Sequence, residues 1–377
     1  MSDRKLARVV IIDSLHPIEG ADRIELAMVG GWQVVAQKGL YTPGCKAVYF
    51  EVDSLLPVSA EAFAFLASSK NVIVNGEQYA RIKTIKLRKQ LSQGILMPMK
   101  EMGAKESAPV DTDLTEKLGV LKYESAGEKS MNGTMGSKGG SVSLPFPSFI
   151  PKTDQTRLQN IPVMFNAARD AGELFEKSFK LDGSSLTAYM YKGVTGVASR
   201  NVGFRMQTVN KGFVQSVKDF IAQVKQRGFK RAKFETQLKA DDNAFTQMAH
   251  SSGVITALVR EGRNLAFQGE MVGPSIQKNF EGVEQNELYI YDVYDIDAKA
   301  YLLPAERQAL CAKYGLKHVP LASSHAVTLP VDVATAILDA DGPSGLQGKY
   351  REGFVYKSMT RDFSFKVISN AYLLKEE

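Results

Sequence analysis

The chain has little of the chemistry that marks metal cages, secreted scaffolds or membrane spans. Only 2 cysteines, 4 histidines and 1 tryptophan occur among its 377 residues. Cys45 and Cys311 stand far apart in different candidate domains. That argues against a disulfide framework or a zinc cage and for a reducing compartment, cytoplasm or nucleus. The histidines lack paired spacing, so a histidine-based metal site is not expected. No apolar run reaches the roughly 18 residues a membrane-spanning helix needs, and no membrane partner is expected. The opening Met1-Ser2-Asp3-Arg4-Lys5 leads into Val9-Val10-Ile11-Ile12, too short for a signal-peptide core. A strong charge imbalance is missing as well. The 47 basic and 41 acidic residues leave +6, which permits a polyanionic partner without requiring one. What is present is an ordinary globular composition, 44% hydrophobic and 23% charged. It excludes collagen-like structure and wholesale disorder. At about 150 residues per domain, the length implies two domains or three.

The first hundred residues read as short strands between turn signals. Val9 to Ile12, Gly31 to Ala36, Lys46 to Phe50 and Tyr79 to Ile85 are rich in β-branched or aromatic residues. Gly30-Gly31, Pro43-Gly44 and Asn75-Gly76 punctuate them, and one short helix is expected over Ala60 to Ala67. A five-stranded barrel with one helix suits this size, and the OB-fold is such a barrel. From Glu124 to Ser143, five glycines interleave with serines and lysines, the composition of a flexible tether. The expected organisation is therefore a barrel over 1–123, a linker over 124–143 and a second domain over 144–377.

Beyond Leu144, Phe213, Val214, Val217, Phe220, Ile221 and Val224 recur at helical spacing, with Gly228 as a stop. Pro304 opens a second helix through Tyr314. Strands are expected at Leu186–Met190, Phe234–Leu238, Leu265–Val272, Leu288–Tyr294 and Phe354–Lys357. Strands and helices do not strictly alternate, which predicts an α+β domain of antiparallel sheets with flanking helices.

The informative segment is Lys180-Leu181-Asp182-Gly183. A lysine must lose its proton to act as a nucleophile, and neighbouring cations or a bound metal lower its pKa. Asp182-Gly183 supplies a turn that aims the amine, and the aspartate can orient the lysine or a metal-bound water. Alone, a Lys-x-Asp-Gly match arises by chance in roughly one chain in ten of this length. The order of the segments C-terminal to it is more specific: Ser199-Arg200-Asn201, then Gln268-Gly269-Glu270-Met271-Val272-Gly273, then Tyr289-Ile290-Tyr291-Asp292-Val293-Tyr294. Glu352-Gly353-Phe354-Val355-Tyr356-Lys357 and Ser364-Phe365-Lys366-Val367-Ile368 complete the series.

This order resembles the six nucleotidyltransferase motifs of covalent ligases and mRNA capping enzymes, over most of residues 150–375. Lys152-Thr153-Asp154-Gln155-Thr156-Arg157-Leu158-Gln159-Asn160 before the lysine is similar to ATP-dependent RNA ligases. The N-terminal half resembles the family-five RNA ligases in Ala21-Asp22-Arg23-Ile24-Glu25-Leu26, Gly31-Trp32, Tyr49-Phe50-Glu51-Val52-Asp53-Ser54 and Ser92-Gln93-Gly94. The resemblance implies an OB domain before an ATP-grasp-like transferase domain. It also implies sealing of 5′-phosphate and 3′-hydroxyl RNA ends, with RNA or an RNA-containing nicked duplex as partner and a monomeric protein. A GTP-using capping-type guanylyltransferase and a non-catalytic nucleic-acid-binding protein are the alternatives. The first is disfavoured by domain order. The second is disfavoured by the presence of the lysine and both glutamates.

Residue roles follow from the resemblance. Lys180 would attack the α-phosphate of ATP and carry AMP, and Lys366 would face that phosphate and help lower the pKa of Lys180. Glu270, Glu352 and Asp182 would hold Mg²⁺ or Mn²⁺. Arg200 would contact the nucleotide sugar or the RNA phosphate. Tyr289 or Tyr291 would stack on adenine, or belong to the core. Lys152 and Arg157 would hold the leaving pyrophosphate, or be solvated. Two departures stand out: Ser364 replaces the first lysine of a Lys-x-Lys motif, and Phe179 occupies the position before the nucleophile that is often acidic. In the barrel, Arg81, Lys83, Lys86, Arg88 and Lys89 form a dense basic stretch, with alternation placing Arg81 and Lys83 on one face. Such a strip tracks a phosphate backbone, with Trp32 or Tyr41 as exposed stacking partners. The linker would let the barrel close over a nick after AMP has been loaded.

Overall fold

The computed structural model describes residues 4–69, 71–123, 144–207, 209–210, 213–227, 237–238 and 240–375. The glycine-rich segment 124–143 and the expected stop at Gly228 lie outside the described residues.

In the N-terminal part, strand periodicity divides side chains between two cores. The strands Ala7–Ile11, Lys46–Phe50 and Ile95–Pro98 form one antiparallel sheet with Lys46–Phe50 in the middle. Val9, Val48 and Phe50 enter one cluster with Leu56, Phe63 and Met97. Val10, Ala47 and Tyr49, one residue out of step, enter another with Trp32, Val34 and Leu96. Both faces of this sheet are therefore buried, alternate residues serving different clusters. A short 3₁₀ helix, Glu61–Leu66, takes the place of the expected helix and seats Phe63 edge-on against Phe50 at 5.3 Å.

Two expectations for this region are corrected. The single strand expected over Tyr79 to Ile85 is two, Glu77–Arg81 and Thr84–Leu87, paired with different neighbours. Buried Ile82 exchanges backbone hydrogen bonds with Asp53 and Ser54, and the chain then leaves that sheet for a separate hairpin. Arg81 and Lys83 consequently do not share one continuous strand face. Trp32 and Tyr41 are buried, so neither is an exposed stacking platform. The Trp32 indole Nε1 instead donates to Asn160 Oδ1 at 2.8 Å, in the C-terminal part.

The C-terminal part is built on two antiparallel sheets, as expected for an α+β domain. Among the described residues the larger has seven strands, with Ser184–Tyr191, Leu265–Val272 and Glu287–Asp295 side by side. Helices Ala244–Ser251 and Val254–Glu261 cover it through Phe245, Met248, Val254 and Leu258, packed on Leu186 and Phe267. The smaller sheet joins Phe175–Lys180, Gly353–Ser358 and Ser364–Ile368, and helix Pro162–Asp170 packs Phe165 on it. Helix Pro304–Tyr314 has the expected bounds and stops at Gly315, whose φ is +64°. Helix Phe213–Arg227 matches its apolar spacing, and of the strand expected over Phe234–Leu238 the described part is Gln237–Leu238.

The segment Leu181-Asp182-Gly183 is the crossing between the sheets. Lys180 ends a strand of the smaller one and Ser184 begins a strand of the larger. Gly183 passes so close to the neighbouring strand that a Cβ would lie 2.1 Å from the Met271 carbonyl oxygen. Only glycine fits there.

Candidate active site

A cavity of about 650 Å³ opens where the two sheets and the barrel meet. Lys180, Asp182, Arg200, Glu270, Tyr291, Glu352, Lys366 and Arg157 line it, so eight of the ten expected site residues are brought together. The other two are not. Lys152 is exposed and its Nζ donates to Asn201 Oδ1 at 3.2 Å, outside the cavity wall. Tyr289 packs among Leu181, Val272 and Val319, with its hydroxyl donating to Glu287 Oε2 at 2.5 Å.

The separation of the two tyrosines has a local cause. Gln268 pairs with Asp292 but the next residue, Gly269, pairs with Ile290, so Tyr291 is the extra residue of a β-bulge. The bulge breaks the alternation that would put Tyr289 and Tyr291 on one face. Tyr291 lines the cavity, its hydroxyl 2.8 Å from Ser185 Oγ, while buried Lys357 donates to its carbonyl oxygen at 2.9 Å and to Asp292.

The wall around Lys180 is acidic. Lys180 lies opposite Gly353 in the smaller sheet, which sets Glu352 beside it. Gly353 has φ +152°, and a Cβ there would lie 2.0 Å from the Val367 carbonyl oxygen, so this position is also closed to other residues. The Lys180 ammonium donates to Glu352 Oε2 at 2.6 Å. Burial opposes its charge, but Glu352 and Glu270 together raise its pKa above the usual lysine value. This corrects the expectation of a lysine depressed by cations. The charges that act most strongly on Lys180 are acids.

Glu270 stands opposite Ser185 on the larger sheet, and among the described residues its carboxylate accepts no hydrogen bond. Burial pushes its pKa up to about 8, with repulsion from Glu352 and Asp182 adding to the effect and Lys180 opposing it. Asp182 donates its backbone N–H to Glu281 Oε1 at 2.9 Å, and Glu281 also accepts from Ser344 Oγ at 2.6 Å. Glu281 is buried, its pKa raised first by that burial, and it was not singled out from the sequence.

The opposite wall is cationic. Asp154 gathers Lys366 Nζ at 3.0 Å, Lys122 Nζ at 2.9 Å and Arg200 Nη2 at 3.0 Å. Burial works against the Asp154 charge, but these three cations hold its carboxyl well below the usual carboxylate range. Lys366 has its pKa lowered to about 8 by burial and by Lys180 and Arg157, against the pull of Asp154. Buried Arg157 reaches Asp53 Oδ2 at 3.4 Å, while among the described residues its Nε and Nη1 have no hydrogen-bond partner.

The barrel completes this wall. Arg4, Asp53, Arg81, Lys122 and Tyr123 all line the cavity, with Arg81 paired to Asp53 at 2.7 Å and lying 3.7 Å over the Tyr123 ring. The barrel is seated by Asn160, which accepts from Trp32 and Arg8 and donates to Glu51. Gly31 permits the contact, since a Cβ there would meet Gln159 Cα at 2.7 Å. Lys122 and Arg4 carried no sequence signal, because their partners stand far away in the chain. Of the two departures, Ser364 donates to Gln155 Oε1 at 2.7 Å, and Phe179 lies against Phe354, ring centroids 5.4 Å apart.

A lysine nucleophile candidate between facing acidic and basic walls is the arrangement a nucleotidyltransferase needs. A family model described as RNA ligase matches residues 175–368. The chain belongs to the RNA ligase family. A second model, described as an OB-fold domain, matches residues 6–99 of this ligase, so the OB domain precedes the ligase domain as expected. Among solved structures, the ligase is similar to a variant of Naegleria gruberi RNA ligase without ligand. That match has 34% identity and a TM-score of 0.81, covering 99% of this chain and 98% of that one. A variant of the same enzyme with ATP and Mn matches at 33% identity and TM-score 0.80, covering 98% of each chain. The enzyme with PPi matches at 34% and 0.80, again covering 98% of each. A search of curated protein sequences gave no match. Among the described residues, no helix is long and apolar enough to cross a membrane.

Proposed function

We propose that this ligase uses ATP to join a 5′-phosphate and a 3′-hydroxyl of RNA, at nicks in duplexes, through a lysyl-AMP intermediate on Lys180. The observation that carries the reading is the Lys180 amine, 2.6 Å from Glu352 in a cavity whose far wall holds Lys366, Arg200 and Lys122.

In the first step the Lys180 nitrogen bonds to the α-phosphorus of ATP, the bond to the bridging oxygen breaks, and pyrophosphate leaves. AMP then passes to the RNA 5′-phosphate, and the 3′-hydroxyl displaces AMP to form the phosphodiester. Before the first step Lys180 must shed a proton, and Glu352 Oε2 is the adjoining acceptor. Charge builds on phosphoryl oxygens in each transfer, so fixed cations that need no rearrangement contribute most. Lys366 serves the α-phosphate in this scheme. Arg200, Arg157 and Lys122 grip the outer phosphates or the RNA phosphate, and Tyr291 receives the adenine.

Among the described residues no three acids, histidines or cysteines are already gathered as a ligand set. The donors nonetheless fit a hard cation. Glu270 is a half-buried carboxylate that accepts no hydrogen bond among the described residues, its pKa near 8, and a divalent ion satisfies such a group. Mg²⁺ or Mn²⁺ held by Glu270, Glu352 and Asp182 would supply positive charge at the reacting phosphate.

The test is incubation with α-labelled ATP and Mn²⁺. Wild-type protein is expected to become labelled, and Lys180→Ala to lose the label entirely. Labelling by GTP alone, or an undiminished label on Lys180→Ala, would overturn the reading.

A further inference from the structure

Three tight two-residue hairpin turns in the described chain put both central residues at positive φ. Two contain the glycine that this geometry favours: Asn75-Gly76, with φ of 52° and 86°, and Lys192-Gly193, with 50° and 75°. The third joins strands Thr84–Leu87 and Gln90–Gln93 through Arg88-Lys89, at 48° and 67°. Two long side chains there occupy a backbone region that costs a non-glycine residue energy. Strain held at an exposed tip points to a role for the side chains that sit on it.

The charge around this tip is equally uneven. Lys86, Arg88 and Lys89 are exposed, the hairpin contains no acidic residue, and among the described residues none of the three pairs with a carboxylate. Elsewhere in the OB domain, Arg4, Lys5, Arg8, Arg81 and Lys122 each pair with an acid. Arg23, Lys38, Lys100, Lys105 and Lys117, which do not among the described residues, are scattered along the chain rather than gathered on one hairpin. The base of the hairpin is fixed. Buried Ser92 accepts the Val35 N–H, and Gln93 donates to Asn370 Oδ1 at 3.0 Å. Asn370 begins the helix whose Tyr372 and Leu373 line the cavity. Four strand residues carry the tip about 13 Å from that anchor.

Resting on the ligase reading, we propose that this hairpin grips the phosphate backbone of the RNA duplex beside the sealing site. Arg88 and Lys89 hold phosphates at the tip, and Lys86 holds one along its flank. Unpaired cations on a rigid stalk lose no ion pair when they meet phosphate, and guanidinium geometry suits a phosphate fork.

The experiment replaces Arg88→Asn together with Lys89→Gly, the pair preferred by such turns, so the fold is kept or strengthened while two charges disappear. Binding of a fluorescent nicked RNA duplex is measured across a salt series, alongside lysine labelling by ATP. The expected result is a salt slope shallower by about 2, weaker binding, and unchanged labelling and melting temperature or a higher one. Lys86→Ala, away from the turn, is expected to lower the slope by about 1 and serves if the turn variant folds poorly. Unchanged binding and slope in these variants, or a fall in labelling that parallels the binding loss, would overturn the proposal. Failure of wild-type protein to be labelled is a separate readout and tests the ligase reading alone.

Discussion

The two walls of the cavity are charged in opposite senses, and each gathers its charges about an ion of the other sign. Among Glu270, Glu352 and Asp182 sits the Lys180 ammonium; among Lys366, Lys122 and Arg200 sits the Asp154 carboxylate. Like charges a few ångströms apart in a partly buried cleft repel strongly, so each wall needs an internal counter-ion to fold. The lysine and the aspartate supply it. The difference lies in reactivity. Lys180 is also the reacting group in the proposed chemistry, so its counter-ion duty keeps the amine protonated and idle until the acids find another cation. Asp154 reacts with nothing, and it keeps three cations converged where phosphates would enter.

The largest effect should come from the acidic wall. Glu270→Ala and Glu352→Ala are each expected to slow adenylylation by at least about 10²-fold with the fold intact, the scale of losing one electrostatic contact to a transition state. Single-turnover labelling measures this, and a wild-type rate in either variant removes that residue from the site. Asp154→Asn should have a smaller effect, read in stability. Asp154 is a third exposed, so after screening the loss of its pairs is on the order of 1 kcal/mol, or a melting temperature lower by about 2–4 °C. Pyrophosphate should then stabilise Asp154→Asn by more than it stabilises the wild type. Equal shifts in the two proteins would deny Asp154 its counter-ion role.

The smallest effect sharpens the comparison through pH. The folded Glu270 pKa, about 8, lies above its ordinary value of 4.5. The protonated form therefore favours the folded state fully below pH 4.5, and that stability is lost as pH rises through 8. In metal-free buffer, Glu270→Gln should melt higher than wild type above pH 8 and match it below pH 4.5. Mn²⁺ should narrow the gap by restoring a partner to the wild-type carboxylate. Identical melting curves at high pH would show that Glu270 is already satisfied without metal.

Much of the ligase fold was legible. Leu265–Val272 and Pro304–Tyr314 have the bounds that their apolar runs and flanking signals predict, and the order of motifs around Lys180 marked most of one cavity wall. The misreadings have specific causes. Trp32 sits in an alternating strand, and period-2 patterning does not say which face meets another domain. Strand alternation puts Tyr289 and Tyr291 on one face, and the bulge at Tyr291 shifts that alternation by one residue, which no local pattern announces. Lys152 and Arg157 looked equivalent five residues apart. Arg157 is buried beside Lys366 by a backbone bridge between the two segments, whereas Lys152 is left facing Asn201.

By itself the sequence determined which chemical groups this ligase owns and in what order: one lysine before a tight glycine turn, glutamates beside or next to strand glycines, and a basic stretch in the barrel. Those are local facts, set by residue type and short-range geometry. Only the tertiary structure decided which charge faces which. Lys180 meets Glu352 across 172 positions and Gln93 meets Asn370 across 277, and partners so distant are chosen by how sheets stack and domains dock. Electrostatic energy depends on separation in space and on burial, and a linear pattern encodes neither.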